Sequence, residues 1–167
     1  MRFPQRPSVD KESYLQVTRR EYPVTLRVLR SMPDTQRELR PGAKSKSALE
    51  LAWVFVVEEQ LLQSLLRNER PTLQTAPPDT FAEIIALYEI EHEKTVRMVE
   101  AMSEDDLAAT ASFYVGPKTP GDVPKIALAQ MLLLDAIHHR GQFSVYLRVA
   151  GAHVPSIYGP SADEPWT

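Results

Sequence analysis

The stretch DAIHHRGQ (residues 135–142) lies inside a long apolar pattern with helical spacing, and it contains two of the four histidines of the chain. Asp135 and His139 are four residues apart, so on a helix they project from the same face about one turn apart. A carboxylate and an imidazole at this spacing can share one divalent cation. The stretch therefore predicts a long helix that is apolar at both ends and polar in the middle.

The helix that carries this stretch has recognisable end signals. Asp122 is a good N-cap, and Pro124 is tolerated in the first turn of a helix. The apolar pattern reaches about Ala150 and is followed by Gly151, a usual position for a left-handed terminating residue. The sequence thus predicts a helix from residue 122 to about residue 150. Its predicted inward face holds Leu128, Leu132, Asp135, His139, Gln142, Tyr146 and Val149.

Three more amphipathic helices precede this one. The first is predicted from about Lys11 to Ser31, with Pro23 as the expected site of a kink or a restart. The second begins at Ser47, because Glu50 three residues later completes a capping box that satisfies free amide groups at the helix entrance. These two helices are joined by a connection that contains two prolines.

Thr80 and Glu83 repeat the capping-box pattern for the third helix. Prolines mark the loop before it, and three prolines give residues 153–167 the character of an extended tail. No run of residues indicates a convincing strand. The predicted fold is all-α, a four-helix bundle in a single domain over residues 1–167, with proline-rich connections.

The composition excludes several classes of function. The chain of 167 residues has no cysteine, so it lacks disulfides, thiolate ligands and a thiol nucleophile of its own. A formal charge of -3 gives no reason to expect nucleic acid or an anionic membrane as a partner. The amino terminus has no signal-peptide pattern, and no apolar run approaches the roughly 20 residues of a membrane span. We expect a cytoplasmic protein without a membrane or nucleic-acid partner.

The polar middle of the fourth helix has more than one interpretation. A charge inside a bundle costs several kcal/mol unless it is paired or bound to metal. Asp135 and His139 are candidate metal ligands, or they form a buried hydrogen bond that fixes helix packing. A surface pair of Asp135 with Arg140 is a further alternative. His138 points about 100° away from His139, so we assign only His139 inward.

A third ligand would have to come from another helix, as in other metal-binding bundles. His92 falls on an apolar stripe of the third helix, and Glu58 on one of the second. Alternatively, His92 sits at a solvated edge and Glu58 belongs to a charged rim. We predict His92 as the third metal ligand and keep Glu58 open. Arg140 anchors a loop, the tail or a substrate anion, and we predict Arg140 and His138 as substrate-binding residues.

Three segments resemble the DinB/YfiT-like family of four-helix metalloproteins. They are LELAW (residues 49–53), HHRGQFSVYLR (residues 138–148) and VPSIYGPS (residues 154–161). The resemblance implies a nickel- or zinc-type ion held by three histidines, one on the second helix and two on the fourth. His139 matches one of them. Asp135 stands at the second position, where it can still ligate, and Val54 stands at the third, where it cannot.

The resemblance also implies an activity and an assembly. Relatives include hydrolases and low-molecular-weight thiol transferases, and they often pair as homodimers. One expectation is a divalent-metal-dependent enzyme with a small-molecule substrate that the sequence does not identify. The alternative is a non-catalytic, metal-free homodimer with a stress-related or small-ligand-binding role, in which Val54 marks a lost site.

Overall fold

The computed structural model describes residues 9–71 and 76–167. The bundle consists of four long helices, α1 (Lys11–Arg30), α2 (Ala48–Leu66), α3 (Phe81–Ala101) and α5 (Lys125–Val149). A short helix α4 (Glu104–Ala108) and a hairpin of β1 (Thr110–Gly116) and β2 (Thr119–Pro124) lie between α3 and α5. The prediction of an all-α four-helix bundle is confirmed, with one small hairpin added. The proline loop before α3 includes residues 72–75, which are outside the described part, as is the amino-terminal segment 1–8.

The predicted helix boundaries follow from local chemistry. At the start of α2, the Glu50 amide donates to the Ser47 hydroxyl at 3.1 Å, and the Ser47 amide donates to the Glu50 carboxylate at 2.7 Å. Thr80 and Glu83 form the same reciprocal pair at the start of α3. Gly151 follows α5 with a φ of +66°, the left-handed conformation that glycine adopts without steric cost. All three end signals are confirmed.

Of the kink or restart predicted at Pro23, the restart is excluded, because α1 runs through Pro23 as one element. One local prediction is wrong. Asp122 does not cap the fourth helix, because it lies in β2 opposite Ser112. The physical reason is the run of aromatic and β-branched residues from Phe113 to Val115, which favours a strand and pairs across the following turn. α5 therefore begins at Lys125.

The inward face of α5 also differs from the prediction at both edges. Gln142 and Val149 are exposed, whereas Arg140, Phe143 and Leu147 are buried. A helix that packs against neighbours on more than one side has no sharp apolar stripe, so its rotation is poorly defined by sequence alone. The most important of these differences concerns Arg140, because its guanidinium lies in the core.

A polar layer crosses the middle of the bundle. One apolar cluster packs α2 residues 48–56 against the start of α3 and the carboxyl half of α5. A second cluster packs residues 62–66 against the amino halves of α1 and α5. Between them, each long helix contributes buried polar groups at about the same level, namely Thr18, Glu21 and Thr25 of α1, Glu58 of α2, His92 and Thr95 of α3, and Arg140 of α5. The candidate functional site lies at the edge of this polar layer.

Candidate metal centre

Glu58, Asp135 and His139 bring one ligand atom each to the edge of this layer. The three atoms lie within 4.8 Å of one another. Nδ1 of His139 is 2.8 Å from Oε1 of Glu58 and 4.0 Å from Oδ2 of Asp135. Ligand atoms around a zinc-type ion stand about 2.0–2.2 Å from the metal. The three groups are therefore close enough to serve one divalent cation after small side-chain adjustments.

Glu58 is buried, and one of its carboxylate oxygens is unsatisfied. Oε1 accepts the bond to His139, but Oε2 has no hydrogen-bond partner in the described structure. Burial raises the pKa of Glu58 to about 7, the interaction with His139 opposes the rise, and the charge of Asp135 adds to it. An unsatisfied buried oxygen costs about 1–3 kcal/mol. Glu58 thus has the form of a ligand that lacks a partner.

His139 responds to the same neighbours in the expected direction. The hydrogen bond with Glu58 raises the pKa of His139, burial lowers it, and the charges of Glu58 and Asp135 raise it further. The side chain of Asp135 is half exposed. Two carboxylates beside one imidazole make a site with excess negative charge, which a divalent cation would neutralise.

A cleft of about 610 Å³ opens onto the three ligand groups. Its walls come from α2, β1 and α5. They are largely apolar, formed by Val54, Leu61, Phe113, Met131, Leu132 and Leu134. Phe113 reaches the cleft from the hairpin, so the element that the sequence did not predict contributes to the site.

Comparisons with known proteins identify the family. The sequence model of the DinB family matches residues 8–166. This chain belongs to the DinB family. A curated relative, the uncharacterized protein YrdA of Bacillus subtilis strain 168, is 27% identical over 151 residues, which cover 86% of this chain and 85% of YrdA.

Two crystal structures of DinB-like proteins share the fold. The protein from Bacillus cereus ATCC 10987 superimposes with a TM-score of 0.75 at 22% identity, covering 88% of this chain and 97% of its own. YjoA from Bacillus subtilis gives a TM-score of 0.68 at 20% identity, covering 86% and 96%. These likenesses establish the DinB-like bundle. Within residues 9–71 and 76–167, every helix of this DinB protein is too short or too polar to cross a lipid bilayer.

Val54, which stands at the helix-two histidine position of the resemblance, lines the same cleft as Glu58. The two residues are four apart on α2, so Glu58 projects from the same face one turn later. From the sequence, either Glu58 or His92 can supply the third ligand. The structure of this DinB protein brings Glu58 to Asp135 and His139.

His92 lies elsewhere in the polar layer and is buried, not at a solvated edge. Its Nδ1 is 2.8 Å from Oε1 of Glu59, and its ring stacks on Tyr22 with centroids 4.0 Å apart. The adjacent acids Glu58 and Glu59 therefore have different histidine partners. His92 is not among the three residues that the structure groups as potential metal ligands.

Arg140 is fully buried and anchors the C-terminal tail. Its guanidinium donates to the Glu21 carboxylate at 2.6 Å and to the Tyr158 hydroxyl at 2.6 Å. Burial acts to raise the pKa of Glu21, but the bonds from Tyr158 and Arg140 outweigh it and hold the pKa below its usual value. The anchoring role that sequence analysis offered for Arg140 corresponds to these contacts, and Arg140 does not line the cleft.

His138 is exposed on α5 at the rim of the cleft. Its Nε2 lies 2.7 Å from the side-chain amide of Gln142. Of the two residues predicted to bind substrate, only His138 lines the cleft.

Proposed function

We propose that this DinB protein binds one divalent cation, nickel or zinc, through Glu58, Asp135 and His139, and uses it in hydrolysis or in transfer of an external thiol. The buried Glu58 carries the proposal, because its Oε2 has no hydrogen-bond partner and its carboxylate lies within 4.8 Å of ligand atoms of Asp135 and His139. A bound cation would satisfy that oxygen and balance the two carboxylates. Glu58 takes the place of the third ligand that sequence analysis gave to His92.

When bound, such a cation lowers the pKa of a water or thiol and polarises a carbonyl. The protein supplies the surroundings for that chemistry. In the metal-free protein, the hydrogen bond between Glu58 and His139 holds the two side chains together, and a shared cation would replace this bond. The half-exposed Asp135 leaves one side open to the cleft. In this proposal His138, which lines the cleft, would hold a proton or accept one from a substrate. The contacts of Arg140 give no support for a substrate role, so the proposal rests on His138.

Metal analysis of untagged protein tests this function. Protein incubated with one equivalent of zinc or nickel and then desalted should retain close to one ion per chain by plasma mass spectrometry. Glu58→Gln and His139→Ala should each lose most of it. His92→Gln is the matched control, because it removes a buried histidine paired with a glutamate outside the site. Retention in all variants, or in none including the parent, would refute the metal site.

A second candidate is a metal-free bundle. A cavity of about 40 Å³ is lined in part by Glu58 and is large enough for an ordered water, which would bond to Oε2 after a small rotation of the carboxylate. In that case Glu58 and His139 are a packing pair. Chelation distinguishes the two candidates: the metal-free bundle keeps its melting temperature after treatment with a chelator, whereas the holo-protein loses stability.

We also propose that the chain pairs with a second copy. Val145 and Val149 are exposed apolar side chains one turn apart near the end of α5, on a helix face that a second copy would cover. Light scattering should give twice the mass of one chain, and a strictly monomeric result would remove this proposal. A cytoplasmic location and the lack of nucleic-acid and membrane partners stay predictions.

A further inference from the structure

The residues that line the cleft over the candidate metal centre indicate which kind of ligand it can bind. Apart from the three ligand groups and His138, every described residue that lines the cleft is apolar. Leu134 is 57% exposed although it stands in the wall of a concave surface. Exposed apolar surface in a cleft is stabilised by a ligand that removes it from water.

The charges of the lining residues narrow the class of possible ligands further. Among the described residues that line the cleft there is no lysine or arginine. Arg140, the nearest candidate on α5 for binding an anion, is already paired with Glu21 and Tyr158. Two carboxylates and a divalent cation sum to zero charge at the floor of the cleft. Among the described lining residues, only the imidazoles of His138 and the candidate ligand His139 can carry a positive charge. The cleft therefore offers an anionic substrate no permanently charged cation.

We propose that the cleft takes uncharged small molecules that place a polar group at Glu58, Asp135 and His139 and an alkyl or aryl group against Leu134 and Phe113. This inference rests on the proposed function and specifies its substrate. It follows from the position of the apolar wall, which begins at Val54 one turn from Glu58 and continues to the hairpin. A substrate with a phosphate or carboxylate in place of the apolar group would meet only apolar walls there.

A hydroxamic acid series tests the proposal with one constant metal-binding head. Calorimetry on the zinc-loaded protein would compare acetohydroxamic, butanohydroxamic, hexanohydroxamic and octanohydroxamic acids with succinic monohydroxamic acid, which has an anionic tail. We expect affinity to rise about twofold per methylene, since the cleft is partly open and full burial gives roughly fourfold. The anionic tail should bind no better than acetohydroxamic acid. Equal affinities along the series, or tighter binding of the anionic tail, would overturn the proposal.

Two matched variants test whether the apolar wall of the cleft causes the gain in affinity with chain length. Leu134→Asn should weaken octanohydroxamic acid about five- to tenfold while leaving acetohydroxamic acid and zinc content unchanged. Val145→Asn is the control, because Val145 is also 57% exposed on α5 but does not line the cleft. If both variants disrupt a dimer and neither alters the affinity of the series, the apolar face is an interface between copies and the proposal is wrong.

A metal-independent measurement separates this inference from the proposed function. If the protein takes up no zinc, the proposed function fails, and the uncharged dye Nile red then tests the cleft in metal-free protein. Its emission should increase with the parent and with Val145→Asn, and much less with Leu134→Asn. No increase with the parent, or equal increases with both variants, would show that the cleft does not select apolar ligands.

Discussion

His139 of α5 and Glu58 of α2 are joined by a 2.8 Å hydrogen bond between Nδ1 and Oε1. The bond crosses the bundle at a level where all four long helices bury polar groups. It leaves Oε2 of Glu58 without a partner while Asp135 stands nearby. This pair is consequently the strongest support for a metal site, and the stability of the metal-free protein should respond to changes in either residue.

Glu58→Gln should stabilise the metal-free protein at pH 8. Burial raises the pKa of Glu58 from 4.5 to about 7, so the protonated form favours folding below pH 4.5 and this contribution is lost as the pH rises through 7. A neutral glutamine avoids the cost of the buried charge. Chemical denaturation in a chelator should show a gain of about 1–3 kcal/mol at pH 8 that shrinks towards pH 5.

The exposed Glu93→Gln is the control for that comparison, because it removes a glutamate that is not buried. Its unfolding free energy should change by no more than about 0.5 kcal/mol at either pH. A loss of stability in Glu58→Gln at pH 8 would contradict the assignment of Glu58 as an unsatisfied buried acid.

His139→Ala should destabilise the metal-free protein by about 1–3 kcal/mol at pH 8, since it leaves both oxygens of a buried carboxylate unpaired. The double variant with Glu58→Gln should recover most of this loss. A thermodynamic cycle of the two single variants and the double variant measures the coupling. Strict additivity would mean that the two side chains do not interact in solution.

Metal affinity should fall in acid. Both Glu58 and His139 have raised pKa values and must lose their protons to ligate. Between pH 8 and pH 6 we expect zinc affinity to drop about ten- to a hundredfold, measured by competition with a chromophoric chelator. An affinity that is constant over this range would exclude these two groups as ligands.

The docking of the C-terminal tail should depend on the buried ion pair between Arg140 and Glu21. Arg140→Met removes the buried cation that pairs with Glu21 and leaves only the exposed Arg20 beside this carboxylate, so it should cost up to about 3–5 kcal/mol of unfolding free energy. Tyr158→Phe removes hydrogen bonds to Glu21 and Arg140 and should cost about 1 kcal/mol. Tyr114→Phe is matched in exposure, since both tyrosines are 64% exposed, and should have no measurable effect. Equal effects of the two tyrosine variants would argue against the anchor.

Much of the bundle could be predicted because its signals are local. Ser47 with Glu50, Thr80 with Glu83, and Gly151 fix helix ends through contacts within a few residues. The placement of Asp135 and His139 on one face likewise follows from their four-residue spacing on a helix. The hairpin was missed although the residues from Phe113 to Val115 favour strands, because a run this short is ambiguous without its partner.

The choice between Glu58 and His92 could not be made from periodicity. Both residues lie on apolar stripes, and both are buried in the polar layer. Which of them reaches His139 depends on the rotation and level of α2 and α3 relative to α5, which tertiary packing sets. The adjacent acids Glu58 and Glu59 illustrate this, since they bond to different histidines.

Anomalous diffraction from zinc-soaked crystals, recorded on both sides of the zinc edge, tests the central claim most directly. The account predicts one strong peak within about 2.0–2.2 Å of a carboxylate oxygen of Glu58, one of Asp135 and a ring nitrogen of His139. A peak between His92 and Glu59 instead, or no peak at Glu58 and His139 with zinc in excess, would contradict it.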